Sequence, residues 1–140
     1  MRKISHIRLS TFLIDKIPQL RLYKRSLIFG GLLPDCVPSF IYRRHTIDKT
    51  LHIIESELLK LSKCTEFNTY FCRHLGIITH YLADYFTLPH NKEYTGGTKK
   101  HNEYELRLKN EFNSYLNHMV SVDELICKDI EDIIDYIKNT

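Results

Sequence analysis

Nowhere in this chain do about 18 apolar residues follow one another, so no transmembrane helix is expected. No C-x-x-C pair is present. The four cysteines, Cys36, Cys64, Cys72 and Cys127, stand far apart, which argues against a cysteine zinc ribbon and a disulfide framework and leaves buried or idle thiols. Low-complexity tracts and long blocks of one charge sign are missing too, so disorder is not indicated. The net charge of +3 is thinly spread, with only small basic groups at Lys24-Arg25, Arg43-Arg44 and Lys99-Lys100. That is a weak case for nucleic acid or an anionic membrane surface. The stretch from Met1 to Lys16 is interrupted by His6, Arg8 and Asp15, so no secretory leader is read there and the expected address is the cytoplasm.

What is present is the composition of a globular protein, 43% hydrophobic and 26% charged over 140 residues, enough for one domain spanning 1–140. Apolar residues recur at helical spacing, and sustained period-two alternation is absent, so the expected class is all-α. A first helix over about Ser5 to Ile17 turns Ile7, Phe12, Leu13 and Ile17 inward and stops at Pro18. A second runs from about Leu20 to Leu33 and ends at Pro34. Its Gly30-Gly31 pair disfavours helix by about 1 kcal/mol per glycine relative to alanine, which points either to a close approach of another backbone or metal loop, or to fraying ahead of Pro34. A third, about Thr46 to Ser62, lines up Ile47, Leu51, Ile54, Leu58 and Leu61. The fourth and most apolar, about Glu66 to Leu88 with Thr65 as its cap, carries Phe67, Tyr70, Phe71, Leu75, Ile78, Leu82 and Phe86. A fifth runs from about Lys99 to His118. Ser121 and Glu124 form a capping box ahead of the last, whose buried edge is Val122, Ile126, Ile130, Ile133 and Ile137.

Chemistry concentrates on the fourth and fifth helices. His80 and Asp84 are four residues apart, on one face and about 6 Å apart along the axis, within reach of one ion. In so apolar a helix this pair faces a burial cost of several kcal/mol per charge unless something compensates it, and a cation would. The arrangement recurs at His101 and Glu105, with His90 just after Pro89 between the two pairs. The bland alternative is a hydrogen-bonded pair on one helix and a solvated pair on the next. Asp35 after Pro34 and His45 before the third helix are, taken singly, a cap or surface residues, and His6 beside the first apolar stripe is a core or surface histidine. The His-Glu-x-x-His motif of zinc peptidases and the adjacent His-Asp pair of helical metal phosphohydrolases are both absent, as are the Glu-x-x-His pairs of carboxylate-bridged di-iron bundles. His52, His74 and His118 fall outside the pattern and suit surface or supporting positions.

The ordered series Asp35, His45, His80-x-x-x-Asp84, His90, His101-x-x-x-Glu105 resembles the zinc-dependent phospholipase C family, whose fold is shared with zinc-dependent single-strand nucleases. The resemblance spans about Ser26 to Glu105. It is carried by Gly30-Gly31-Leu32-Leu33-Pro34-Asp35, by Leu75 through Phe86 with Pro89-His90-Asn91, and by His101 with Tyr104-Glu105. It implies a compact multi-helix domain with one zinc held by Asp35, His45, His80 and Asp84 and a second by His90, His101 and Glu105. In larger members a third zinc takes an N-terminal histidine, where His6 stands here, the carboxylate matching Asp84, and a processed first residue that is usually tryptophan. This chain has no tryptophan, is shorter overall, and has a shorter separation between Asp35 and His45, so two ions are expected and a third is left open.

The implied reaction is hydrolysis of a phosphodiester by metal-activated water, with Asp35 as a ligand or the general base. The implied partners are a phosphoester substrate such as a phospholipid headgroup and transient contact with a membrane surface, with no strong nucleic-acid signal. Tyr81, Tyr85 and Phe86 are core residues before they are pocket walls. A nuclease or nucleotidase, and a non-catalytic module merely stabilised by zinc, are the competing readings.

Overall fold

In the computed structural model of the protein, residues 1–38, 45–87, 97–119 and 129–139 are described. They form α1 (Lys3–Lys16), a 3-10 segment η1 (Pro18–Tyr23), α2 (Lys24–Cys36), α3 (Ile47–Leu61), α4 (Thr69–Tyr85), α5 (Thr98–His118) and α6 (Ile130–Asn139). The all-α class expected from periodicity holds, with no strand among the described residues.

Helix ends follow local chemistry except where packing overrides it. α1 stops because Ile17, preceding Pro18, is pushed into extended backbone (φ −119°, ψ 91°). Pro34 does not stop α2, contrary to the sequence expectation. The helix continues through it to Cys36, and Val37 N donates to Leu33 O at 2.9 Å. The proline removes one internal hydrogen bond, but α2 contacts α4 at Gly31 before it and at Asp35 after it, and this tertiary packing holds the helix. Asn68, not Thr65, caps α4: its side chain accepts from Phe71 N at 2.8 Å, so the helix begins at Thr69. At the other end Thr87 N and Oγ1 both donate to the Asp84 carbonyl, at 2.9 and 2.8 Å, and close the helix well before Pro89.

The most extensive helix contact among the described residues is α2 against α4. It is made possible by glycine. A Cβ on Gly30 would lie 2.0 Å from the Arg73 carbonyl oxygen, and one on Gly76 would lie 2.3 Å from that of Leu27. No side chain larger than hydrogen fits at either place. The Gly30-Gly31 pair therefore marks a close backbone approach, one of the two alternatives open in the sequence.

Two apolar clusters flank this crossing. One joins Ile53 and Ile54 of α3, Ile77, Ile78 and Tyr81 of α4, and Ile134 and Ile137 of α6. The other joins Ile14, Leu20, Leu27 and Cys72. Each fully buried aliphatic side chain in them contributes about 1.5–3 kcal/mol. Several expected core positions lie outside: Ile17 is exposed, as are Phe67, Tyr70 and Phe86. Ile17, Phe67 and Phe86 fall just beyond the ends of α1 and α4, and Tyr70 lies in the first turn of α4; the helices themselves turn small and polar residues toward each other and α2. α1 buries Ser5, His6 and Ser10 beside Phe12 and Ile14, and α4 buries Gly76, His80 and Asp84. Ser121, Val122, Glu124 and Ile126, read as the start of the last helix, lie outside the described residues.

Candidate metal centre

The polar interior is built around two α4 side chains one turn apart. His80 Nδ1 lies 2.7 Å from the carbonyl oxygen of Gly31. A carbonyl can only accept, so Nδ1 carries the proton and Nε2 presents its other face to the centre. Facing that nitrogen are His45 Nδ1 at 3.1 Å, Asp84 Oδ2 at 3.1 Å and Asp35 Oδ1 at 3.8 Å. His45, at the approach to α3, also lies 2.7 Å from Asp84 Oδ2.

From α1, His6 stacks on the His80 ring with centroids 3.8 Å apart, and its Nε2 lies 3.3 Å from Asp84 Oδ1. Its Nδ1 is buried with no hydrogen-bond partner among the described residues. The Met1 amino group stands 2.5 Å from Asp84 Oδ1 and 3.3 Å from Glu105 Oε1. Glu105 is buried on α5, and His101, one turn earlier, places Nε2 3.9 Å from the same oxygen.

Electrostatics follow from burial without solvent. Burial by itself would raise the Asp84 carboxyl. Hydrogen bonds from His45, His6 and His80, together with the N-terminal charge, outweigh it and hold this carboxyl well below the usual range. Burial pushes His6 below the ordinary imidazole value. Asp84 opposes the shift, and neighbouring His80 reinforces it.

The donor set suits a metal. His6, Asp35 and His80 form one group, and His45, His80 and Asp84 another, with the donor atoms of each within 4.8 Å of one another. Ligands held about 2.0–2.2 Å from a tetrahedral zinc lie roughly 3.3–3.6 Å apart. The observed separations of 2.7–3.8 Å around His80 Nε2 and Asp84 Oδ2 bracket that spacing. The Gly31 carbonyl orients His80 as a supporting hydrogen-bond acceptor orients a ligating imidazole. Nitrogen and carboxylate donors crowded this closely in a dry interior repel one another unless a cation or protons lie between them.

The structure therefore gathers His6, Asp35, His45, His80 and Asp84 tightly, reaches Glu105 through the Met1 amino group, and leaves His101 at the edge. His90 lies outside the described residues. Tyr81 is fully buried in the apolar cluster, while the Tyr85 hydroxyl lies 2.8 Å from Thr50 Oγ1 and burial pushes it up to about 12. Phe86, at 60% exposure, packs in neither apolar cluster. Away from the centre, His74 pairs with Glu57, and His118 donates to the Ser114 carbonyl. The Met1 amino group and the Gly31 carbonyl are backbone groups that no reading of side-chain types identifies. Only the glycine pair signalled the second.

The sequence model of the family described as zinc dependent phospholipase C matches residues 5–140. No curated protein and no solved structure matches the chain. With nearly the whole length matched, and with imidazoles and carboxylates from four segments of the fold meeting around His80, the chain belongs to the zinc-dependent phospholipase C family.

Proposed function

We propose that the protein is a zinc-dependent phosphoester hydrolase of the phospholipase C kind, cleaving a phosphodiester. The observation that carries this reading is the environment of His80 Nε2, with three further donor atoms within 3.8 Å and its opposite nitrogen tied to Gly31. Asp35, His45, His80 and Asp84 would hold one zinc, and His90, His101 and Glu105 a second. His6 with Asp84 would serve a third, should one bind. Zinc bound there supplies Lewis acidity, lowering the pKa of water toward neutrality and offsetting charge on phosphoryl oxygens.

The two central carboxylates divide the remaining work by accessibility. Asp84 is buried and both of its oxygens face imidazoles or the amino group, so it holds and orients. Asp35, 24% exposed at the end of α2, is the acid that water and substrate can reach. It accepts the proton of the attacking water as general base. His80, held by the Gly31 carbonyl, keeps its Nε2 aimed at the other donors of the centre.

The test is a panel of phosphoesters, including a chromogenic phosphodiester, phosphatidylcholine, mononucleotides and single-stranded DNA, offered to the zinc-loaded protein. Turnover of the phosphodiester and the lipid is expected, falling about 10²–10⁴-fold in Asp35→Asn. Turnover confined to nucleic acid or nucleotides would replace this reading with that of a nuclease. No turnover of any phosphoester, with unfolding on chelation, would leave a zinc-stabilised module.

A further inference from the structure

Counted along the sequence, Lys24-Arg25 is a small basic group, and the fold changes its weight. From Lys16 to Pro34 the chain carries Lys16, Arg21, Lys24 and Arg25 and no acidic residue. Along η1 and the start of α2, Arg21, Leu22, Lys24, Arg25 and Phe29 are all exposed, Leu22 by 88% and Phe29 by 51%. Positions 22, 25 and 29 recur at three- and four-residue spacing, which places them along one side of the column. Exposed Arg73 of α4 lies over the Phe29 ring, 5.4 Å from its centroid, and extends the basic surface across the helix crossing. Phe29 is about 200° around α2 from Gly31, so its side chain leaves α2 on the side opposite the residue that contacts His80.

Large apolar side chains left in water and ringed by cations mark an interaction surface. Three kinds of occupant compete. A second copy of the chain in a two-fold contact would set basic residues against basic residues. Nucleic acid would use the cations, but it takes up an aliphatic side chain only against a thymine methyl or at the cost of unstacking bases. An anionic lipid surface uses both: headgroup phosphates meet the guanidinium and ammonium groups, while Leu22 and Phe29 enter the acyl boundary. We propose that the η1–α2 face, Leu22 and Phe29 with Arg21, Lys24, Arg25 and Arg73, docks on an anionic lipid surface. Docking there would hold the protein at the membrane surface through side chains that are not donors of the metal centre.

Vesicle sedimentation of the full chain tests this, comparing phosphatidylcholine vesicles containing phosphatidylserine with phosphatidylcholine alone. Binding to the anionic vesicles, released by high salt, is expected. Combined Lys24→Gln and Arg25→Gln should weaken it roughly 25-fold, about fivefold per charge, and Leu22→Asp by about tenfold. Both variants should keep the wild-type thermal midpoint and the wild-type rate on a soluble phosphodiester, so failed docking and failed hydrolysis are read separately. Phe29→Ser stands in if Leu22→Asp loses its thermal transition. No sedimentation with anionic vesicles, sedimentation indifferent to these apolar substitutions, or tighter binding to single-stranded DNA at the same salt would overturn the proposal.

Discussion

On one side of α4, Ile77, Ile78 and Tyr81 meet Ile53, Ile54, Ile134 and Ile137, a set that needs only the exclusion of water to cohere. On the other side, Gly76 lies against the backbone of α2 while His80 and Asp84 meet His6, His45 and the Met1 amino group. That second side brings together groups which, left to themselves, resist burial. One helix thus joins a self-sufficient core to a polar interior whose crowded donors suit a metal ion. The contrast teaches that stability on the two sides should answer to different perturbations.

Removing the metal should have the largest effect and act on the polar side alone. Zinc present at about a thousand times its dissociation constant adds about 4 kcal/mol of stability. Chelation should therefore lower the thermal midpoint by on the order of 10 °C. Scanning calorimetry with and without chelator measures it, and an unchanged midpoint would erase the contrast.

Ile54→Ala comes next, with a loss of about 3 kcal/mol. This loss should be the same with and without zinc, and metal content should not change, because Ile54 belongs to the apolar cluster. Denaturant titration of both forms checks that equality. Gly30→Ala sits on the boundary and should affect both sides. Its Cβ meets the Arg73 carbonyl, so about 2 kcal/mol is lost to overpacking. The same shift moves the neighbouring Gly31 carbonyl that orients His80, so zinc affinity should fall as well. Competition with a chromogenic chelator reads the second effect.

The smallest effect is the pH dependence of the metal-free protein. His6 has its folded value lowered, chiefly by burial, so below about pH 6.5 the unfolded chain binds the proton more readily. Stability is then fully present above that pH and declines as pH falls toward the lowered folded value. Asp84, held low, contributes above the ordinary carboxylate range near pH 4, and its share is lost only as pH falls through its depressed value. His6→Asn should flatten the first decline and, by removing one of the hydrogen bonds that hold Asp84 low, shrink the second without abolishing it. Urea midpoints measured across pH distinguish the two.

Helix positions were legible because apolar residues recur at 3.6-residue spacing, and His80 with Asp84 was legible because four residues make one turn. The rotation of each helix was harder to read. Phe67, Tyr70 and Phe86 look like core by residue type, yet Phe67 and Phe86 lie beyond the ends of α4, and the α2–α4 crossing at Gly30 and Gly76 turns a smaller, more polar face of the helix inward. Pro34 looks like a stop, yet contacts on both sides of it carry the helix onward. Thr65 and Asn68 are both good caps, and residue preference does not choose between them. In each case the deciding contact is distant in sequence. The centre shows the same division. Spacing pairs His80 with Asp84, but the approach of His6, Asp35 and His45 depends on three other segments packing against α4.

Elemental quantification of zinc in the purified protein, in His80→Ala and in His101→Ala tests the account most directly. Two separate sites predict that each variant loses about one ion relative to wild type while keeping helical content, because their ligands lie on different helices. Full zinc content retained by both variants would contradict the assignment of these residues as ligands.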